Sequence, residues 1–166
     1  MCEKILLIDG HSILNRAFYG LPDLTSPEGL HTGAVYGFLN ILFRVLEEEK
    51  PEYLAVAFDR SEPTFRHQKY PEYKGTRKPM PEELKEQLPM LQKMLAAMGI
   101  TTVSLAGYEA DDLLGTLAKR SEEKGMDVTI LSGDRDLLQL ASKKTLIRIP
   151  KTAKGQTIIE SYNEDE

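Results

Sequence analysis

Residues 4–12 read Lys4-Ile5-Leu6-Leu7-Ile8-Asp9-Gly10-His11-Ser12. Four aliphatic side chains in a row stop at an acid and a glycine. A strand covered on both faces is written as a short continuous apolar run, whereas a strand with one wet face alternates. Lys4 to Asp9 is therefore expected to be an inner strand of a mostly parallel sheet, ending at Asp9-Gly10.

Working outward, the pattern recurs. Tyr53 to Asp59 (YLAVAFD) ends on an acid in the same way, and Thr101 to Leu105 (TTVSL), Asp127 to Leu131 (DVTIL) and Thr145 to Ile149 (TLIRI) are further strand candidates. Gln156 to Ile159 would add a short edge strand. Helical periods lie between them. Val35, Leu39, Leu42 and Leu46 form one apolar stripe, running to the acidic end Glu47-Glu48-Glu49. Leu84, Leu88, Leu91, Leu95 and Met98 form a second, opened by Pro81 and closed by Gly99. Ala110, Leu113, Leu114 and Leu117 mark a third, closed by Gly125. Strands alternating with helices predict an α/β domain whose sheet is covered on both faces.

The totals bound the reading. The 166 residues, 41% hydrophobic and 28% charged, suit one globular domain with a sizeable core. Cys2 is the one cysteine, which excludes an internal disulfide framework and a cysteine-based zinc site and fits a reducing compartment. His11, His31 and His67 are too scattered for a local histidine cluster. No apolar run is long enough for a membrane span or signal core, so a cytoplasmic protein without a membrane partner is expected. There is no internal repeat. The net charge of -5 stands, at first sight, against a nucleic-acid partner.

The stretch from Arg60 to Pro81 lacks an apolar period. It holds Pro63, Pro71, Pro79 and Pro81, the aromatics Phe65, Tyr70 and Tyr73, and the bases Arg60, Arg66, Lys69, Lys74, Arg77 and Lys78 against only Glu62 and Glu72. A long excursion of this kind in a compact domain points to function.

The acids have a pattern too. Asp9 and Asp59 end the first two strands, Glu109, Asp111 and Asp112 open the helix after the third, and Asp134 and Asp136 follow the fourth. All seven are expected at the carboxyl edge of the sheet, where open α/β folds bind ligands. Any one of them could be an ordinary turn former or helix cap. Acids at successive strand ends are harder to obtain from capping alone. Converging carboxylates repel and raise one another's pKa unless cations neutralise them. Oxygen-only ligands select hard ions, Mg²⁺ or Mn²⁺, and seven carboxylates suit two ions rather than one. Two such ions roughly 4 Å apart are the usual machinery for in-line displacement at phosphorus. Glu109 and Asp112 share a helix face, with Asp111 projecting elsewhere, and Gly133 is expected to let the Ser132-to-Asp136 turn bend. Lys74 and Arg77 are candidates for clamping the scissile phosphate. Arg66, Lys69 and Lys78 are further candidates for contacts with a phosphodiester backbone. Tyr70 and Tyr73 could stack on unpaired bases. Arg16 faces either phosphates or a salt bridge.

Five stretches, LIDGHS (Leu7–Ser12), YLAVAFD (Tyr53–Asp59), YPEYKGTR (Tyr70–Arg77), GYEADD (Gly107–Asp112) and SGDRD (Ser132–Asp136), resemble in order those of the 5′-nuclease domains of bacterial DNA polymerases I, in the flap-endonuclease family of PIN-like nucleases. The resemblance runs from Ile5 to about Ile159. It implies a three-layer α/β/α, PIN-like (resolvase-like) fold with a basic arch over about residues 60–81, spanning residues 1–166 as one catalytic core. It also implies a Mg²⁺- or Mn²⁺-dependent phosphodiesterase acting on DNA at 5′ ends or 5′ flaps, leaving a 5′-phosphate and a 3′-hydroxyl, as in Okazaki-fragment primer removal and repair. Asp9, Asp59, Glu109, Asp111, Asp112, Asp134 and Asp136 would serve a two-metal centre, and Lys74 and Arg77 would belong to the arch. Family members continue into a helix-hairpin-helix region that adds further aspartates. That region is missing from this chain, so a monomeric fragment of a longer, polymerase-containing protein is expected, with weak or no activity alone.

Three alternatives share some of these features: a PIN-type ribonuclease, a Mg²⁺-binding receiver-like domain, and a non-catalytic nucleic-acid-binding module. A receiver needs an acid pair directly after its first strand, where this chain has Gly10-His11. The charge objection also weakens. With the seven acids set aside, 19 acids face 21 bases. Net acidity then reports stored metal ligands rather than the surface that DNA meets.

Overall fold

The computed structural model describes residues 3–20, 25–29, 31–59, 81–153 and 156–163. The strand β1 (Lys4–Asp9) lies inside a six-stranded sheet. It pairs in parallel with β2 (Tyr53–Ala57) on one side and β4 (Asp127–Leu131) on the other. Beyond β2 lies β3 (Thr101–Val103), and beyond β4 lie β5 (Thr145–Ala153) and β6 (Gln156–Tyr162), giving the order β3-β2-β1-β4-β5-β6. Only β6 runs antiparallel. The chain fills one half of the sheet outward from β1, then returns to its other flank. The crevice between the carboxyl ends of β1 and β4 is therefore a topological switch point.

Burial follows the pleat. Leu6, Ile8, Val56, Phe58 and Leu131 point to one face, where they meet α1 (Gly10–Gly20), α2 (Gly33–Glu49) and the pair α3 (Glu82–Lys85) and α4 (Gln87–Ala97). Leu7, Ala55, Ala57, Val128, Ile130, Ile147 and Ile149 point to the other, against α5 (Ala110–Glu123) and a 3₁₀ helix (Arg135–Leu140). Two apolar layers on one sheet make the expected three-layer α/β/α architecture.

The structure corrects several boundaries and faces. β2 stops at Ala57 and β3 at Val103, two residues short of their expected ends. β5 and β6 run further than expected because they form a hairpin paired from Ile147–Tyr162 to Ala153–Gln156. In α2 the buried stripe is Ala34, Val35, Phe38, Ile41, Leu42 and Val45, with Leu39 and Leu46 only at its margin. The helix expected from Pro81 to Gly99 is two helices broken at Glu86. Pro89 has no N–H for the carbonyl of Lys85 and its ring crowds that carbonyl, so the ladder cannot run through. Gly99 (φ 76°) and Gly125 (φ 81°) do take the left-handed conformation that ends α4 and α5.

Two buried polar groups tie the helices down. Gln87, fully buried, accepts the N–H groups of Ala34 (2.8 Å) and Val35 (3.2 Å), so a side chain from α4 caps α2. Arg148, inside β5, donates from Nη1 to Glu49 (3.1 Å) and Glu48 (2.7 Å) at the end of α2. Lys4 Nζ meets the same Glu49 at 3.0 Å. Acids at a helix C-terminus oppose the macrodipole. Here two cations from the sheet answer them.

Candidate active site

The expected site residues do gather along one edge. Asp9 is the last residue of β1, Asp59 lies two residues past β2, Glu109 is the N-cap of α5 with Asp111 and Asp112 in its first turn, and Asp134 is the N-cap of the 3₁₀ helix with Asp136 in its first turn. Lys74, Arg77, Arg66, Lys69, Tyr70, Tyr73 and Lys78, the expected arch residues, lie outside the described residues.

Asp9 is the buried member, only 4% exposed. Its Oδ2 accepts the Ser132 hydroxyl at 3.0 Å, and the Ser12 N–H points at Oδ1 from 3.4 Å. Burial pushes its carboxyl from an ordinary 3.8 up to about 7, and the negative charges of Asp111 and, more weakly, Asp59 add to the rise. The hydrogen bonds from Ser132 and Ser12 pull the other way without prevailing. Asp111, expected to project elsewhere, is thus the acid that Asp9 feels most.

The remaining acids also carry local structural duties. Asp59 Oδ1 accepts the N–H of Ala110 at 2.6 Å, at the N-terminus of α5. Asp112 Oδ2 accepts the N–H of Glu109 at 3.1 Å, and the pair forms a capping box. Asp134 Oδ1 accepts the N–H of Asp136 at 2.9 Å. These bonds fix where the acid-bearing backbone sits, so capping and clustering come together. Glu109, Asp111, Asp112 and Asp136 line an open cleft between α5 and the 3₁₀ helix, with Thr116 and Lys119 further along it.

Among the described residues no three His, Cys, Asp or Glu side chains lie close enough to enclose an ion together. The acids ring the edge rather than forming a closed cage. The donor set nevertheless fits a hard divalent cation. Every donor is a carboxylate oxygen, and Asp9 is a buried acid held against like charges that a cation would relieve. Mg²⁺ keeps several waters and needs few direct protein ligands, so an open ring with water between suits it.

Sequence reasoning missed four residues here. Ser132, wholly buried, both donates to Asp9 and accepts the N–H of Asp134 at 3.0 Å. Ser12 accepts the N–H of Gly133, and His11 Nδ1 accepts the N–H of Asp59 at 3.1 Å. Phe58 packs its ring over Gly10, where an added Cβ would lie 2.5 Å from Cε1. The signal available was their adjacency to the acids. Gly133 lies at a bend, as expected, without a left-handed φ; its lack of a side chain also admits its neighbours, since an added Cβ would meet Arg16 Cγ at 2.7 Å and Ser12 Oγ at 2.8 Å. Among the described residues, Arg16 Nη2 donates to the Gly133 carbonyl at 3.0 Å, which places its guanidinium beside the turn that carries Asp134.

The close approach at Gly10 gives a direct test. Gly10→Ala should destabilise the chain by about 1–3 kcal/mol in urea unfolding, because a buried aromatic ring cannot yield as a flexible tip does. In the Phe58→Leu background the same substitution should cost clearly less. Equal costs in the two backgrounds would show that the ring is not the obstacle.

Comparison with known proteins completes the picture. Residues 4–165 match the family model described as 5′-3′ exonuclease, N-terminal resolvase-like domain. The chain is 49% identical over 160 residues to DNA polymerase I of Bacillus subtilis (strain 168), which covers 96% of this chain and 18% of that protein. It is 50% identical over 162 residues to DNA polymerase I of Bacillus caldotenax, covering 98% of this chain and again 18% of that protein. The chain thus spans under a fifth of the length of the curated relatives it matches. Among solved structures, T5 5′-exonuclease with bound divalent metal ions (zinc) has a TM-score of 0.72 at 21% identity, over 97% of this chain and 58% of that one. Human GEN1 in complex with Holliday junction DNA has a TM-score of 0.54 at 18% identity, over 98% of this chain and 38% of that one. At such identities the structural likenesses speak for the fold, which is the one the strand-end acids and the sheet order lead to. With a family model matched across residues 4–165, the chain belongs to the 5′-3′ exonuclease family, as its N-terminal resolvase-like domain.

Proposed function

We propose that this domain is a divalent-metal-dependent 5′-nuclease that hydrolyses DNA phosphodiesters at 5′ ends or 5′ flaps, leaving a 5′-phosphate and a 3′-hydroxyl. It would work as the N-terminal region of a DNA polymerase I, as the near-50% identity to such polymerases suggests. The observation that carries the chemistry is Asp9: a buried carboxylate at the switch point, raised to about 7 and facing Asp111 and Asp59. A group so placed is costly to keep unless it holds a cation.

Two Mg²⁺ or Mn²⁺ ions, when bound, would activate a water and stabilise charge on the attacking and leaving oxygens. Asp9 and Asp59 would hold one side of that centre. Glu109, Asp111 and Asp112 would hold the wall formed by α5, and Asp134 and Asp136 the turn after β4. The cleft between α5 and the 3₁₀ helix, lined by Glu109, Asp111, Asp112 and Asp136, would leave that wall open to a strand, while Asp9 would supply the buried carboxylate of the edge. Lys74 and Arg77, on the sequence grounds given above, would grip the scissile phosphate, and the other bases of residues 60–78 the strand beyond it. The domain would act as a monomer.

A binding and cleavage series tests this. With EDTA the acid edge should repel a 5′-flapped DNA. With Ca²⁺, which supplies charge without supporting turnover in most two-metal sites, fluorescence anisotropy should show binding at least tenfold tighter. With Mn²⁺ the flapped DNA should be cut, slowly by this domain alone and faster by a polymerase-length chain, with single-stranded RNA left intact. Preferential cleavage of the RNA would replace this reading with a PIN-type ribonuclease. Metal-independent DNA binding with no cleavage would replace it with a binding module.

A further inference from the structure

β1 lies between β2 and β4, and the residues just after Asp9 reach to both flanks. Towards β2, His11 Nδ1 accepts the backbone N–H of Asp59 at 3.1 Å, with its ring edge-on to Phe58 at 5.6 Å between centroids. Towards β4, the Ser12 hydroxyl accepts the backbone N–H of Gly133 and lies 3.4 Å from the Ser132 hydroxyl. On each flank a glycine permits the approach: Gly10 against the Phe58 ring, Gly133 against Ser12 and Arg16. A single turn of α1 therefore binds the two neighbouring acid-bearing strand ends, each through a backbone amide next to or at an acid.

We propose that His11 and Ser12 are positioning residues. They set how far Asp59 and Asp134 stand from Asp9, and thereby tune the affinity of the site for a divalent cation without touching the cation. The contacts stand on geometry alone; the cation they would serve rests on the nuclease reading. Side chains that orient ligands from behind typically change metal affinity by roughly 10–100-fold when removed. Sites that are loose by less than an ångström lose function in the same way. The choice of residue is also explained. Nδ1 is two bonds from Cβ, and asparagine places an acceptor oxygen at the same remove. Leucine has similar bulk and no acceptor.

The test uses the 166-residue chain at about pH 8, with Mn²⁺ as the probe. Mn²⁺ affinity is read by electron paramagnetic resonance, and nitrogen-15 spectra of the metal-free wild type are searched for a through-hydrogen-bond coupling between the Asp59 amide nitrogen and His11 Nδ1. The coupling should be present. His11→Leu and Ser12→Ala should each weaken Mn²⁺ binding about tenfold or more, while His11→Asn and Ser12→Thr should remain within about threefold of wild type. A merely structural role would tie affinity to melting temperature across all four variants rather than to the presence of an acceptor. No coupling in the wild type, or His11→Leu binding Mn²⁺ as tightly as wild type, would overturn the proposal. So would His11→Asn losing as much affinity as His11→Leu. A wild type that binds Mn²⁺ beside indifferent variants strikes only this proposal. A wild type that binds none strikes the nuclease reading itself.

Discussion

Asp9→Asn is expected to slow single-turnover cleavage of a 5′-flapped DNA by a factor on the order of a thousand, and to make the metal-free chain more stable. The loss follows from removing a carboxylate that would hold the metal centre: several kcal/mol of transition-state charge stabilisation correspond to about that factor. The gain follows from the same group's cost to the fold. Asp9 has a folded pKa of about 7 against an ordinary 3.8. Between those values the native state binds a proton that the unfolded state lacks, so stability falls as pH rises through the interval and is flat above it. The full cost is on the order of 4 kcal/mol, of which asparagine, keeping one of the two acceptor oxygens, should recover about half. For a chain of this size that is roughly 4–8 °C of melting temperature in EDTA above pH 7. At pH 4 the difference should nearly vanish. An Asp9→Asn chain that melts lower than wild type at pH 8, or that still cleaves at the wild-type rate, would remove Asp9 from the centre. Asp112→Ala and Asp134→Ala should slow the chemical step comparably while leaving DNA binding within a few-fold.

Arg148→Met should cost the fold roughly 3 kcal/mol, measured by urea unfolding. The side chain of Glu49 is only 12% exposed, and it would lose one of its two cations. Lys4 would remain at 3.0 Å, which keeps the loss from being larger. Glu48 is the contrasting partner. Its carboxylate is 38% exposed, so Glu48→Gln should cost under about 1 kcal/mol. The Arg148 guanidinium holds the Glu48 carboxyl below its usual range. Its small contribution is therefore complete above the ordinary glutamate value and is lost as the pH falls through the lowered one. An Arg148→Met chain as stable as wild type would show that the two acids find water instead.

β1 and β4 were legible in the sequence to the residue. Both are inner parallel strands, where burial on two faces favours a mainly aliphatic run, unbroken in β1 and interrupted in β4 only by the buried Thr129, and a polar turn marks its end. β2 and β3 ended early for a reason that composition cannot carry. Phe58 donates its N–H to Val103 O at 2.9 Å, but its ring is drawn over Gly10, and the chain leaves the ladder. The acids were legible as a set because they share one edge. Their individual duties were not, since Asp59 capping α5 spans 51 residues and Ser132 meeting Asp9 spans 123. Arg148 was visible only as an odd cation in TLIRI, and Glu47-Glu48-Glu49 only as a polar helix end. That two of those acids face one arginine is a tertiary fact. Residues 60–80, the segment with the strongest basic signal, lie outside the described residues, so the arch stands on sequence and family alone.

The position of β1 in the sheet has a consequence for how such a protein is made. Its first partner, β2, follows some 45 residues later, but its other flank waits for β4, after residue 127. Asp9 is synthesised early and meets the like charges of Asp59 and Asp111 before the turn bearing Asp134 brings the Ser132 hydroxyl that hydrogen-bonds it. A growing chain therefore completes the acid edge only once β4 and the turn after it have docked. Under the proposed function, the topology would act as a safety catch, withholding the cutting surface until nearly the whole domain is folded.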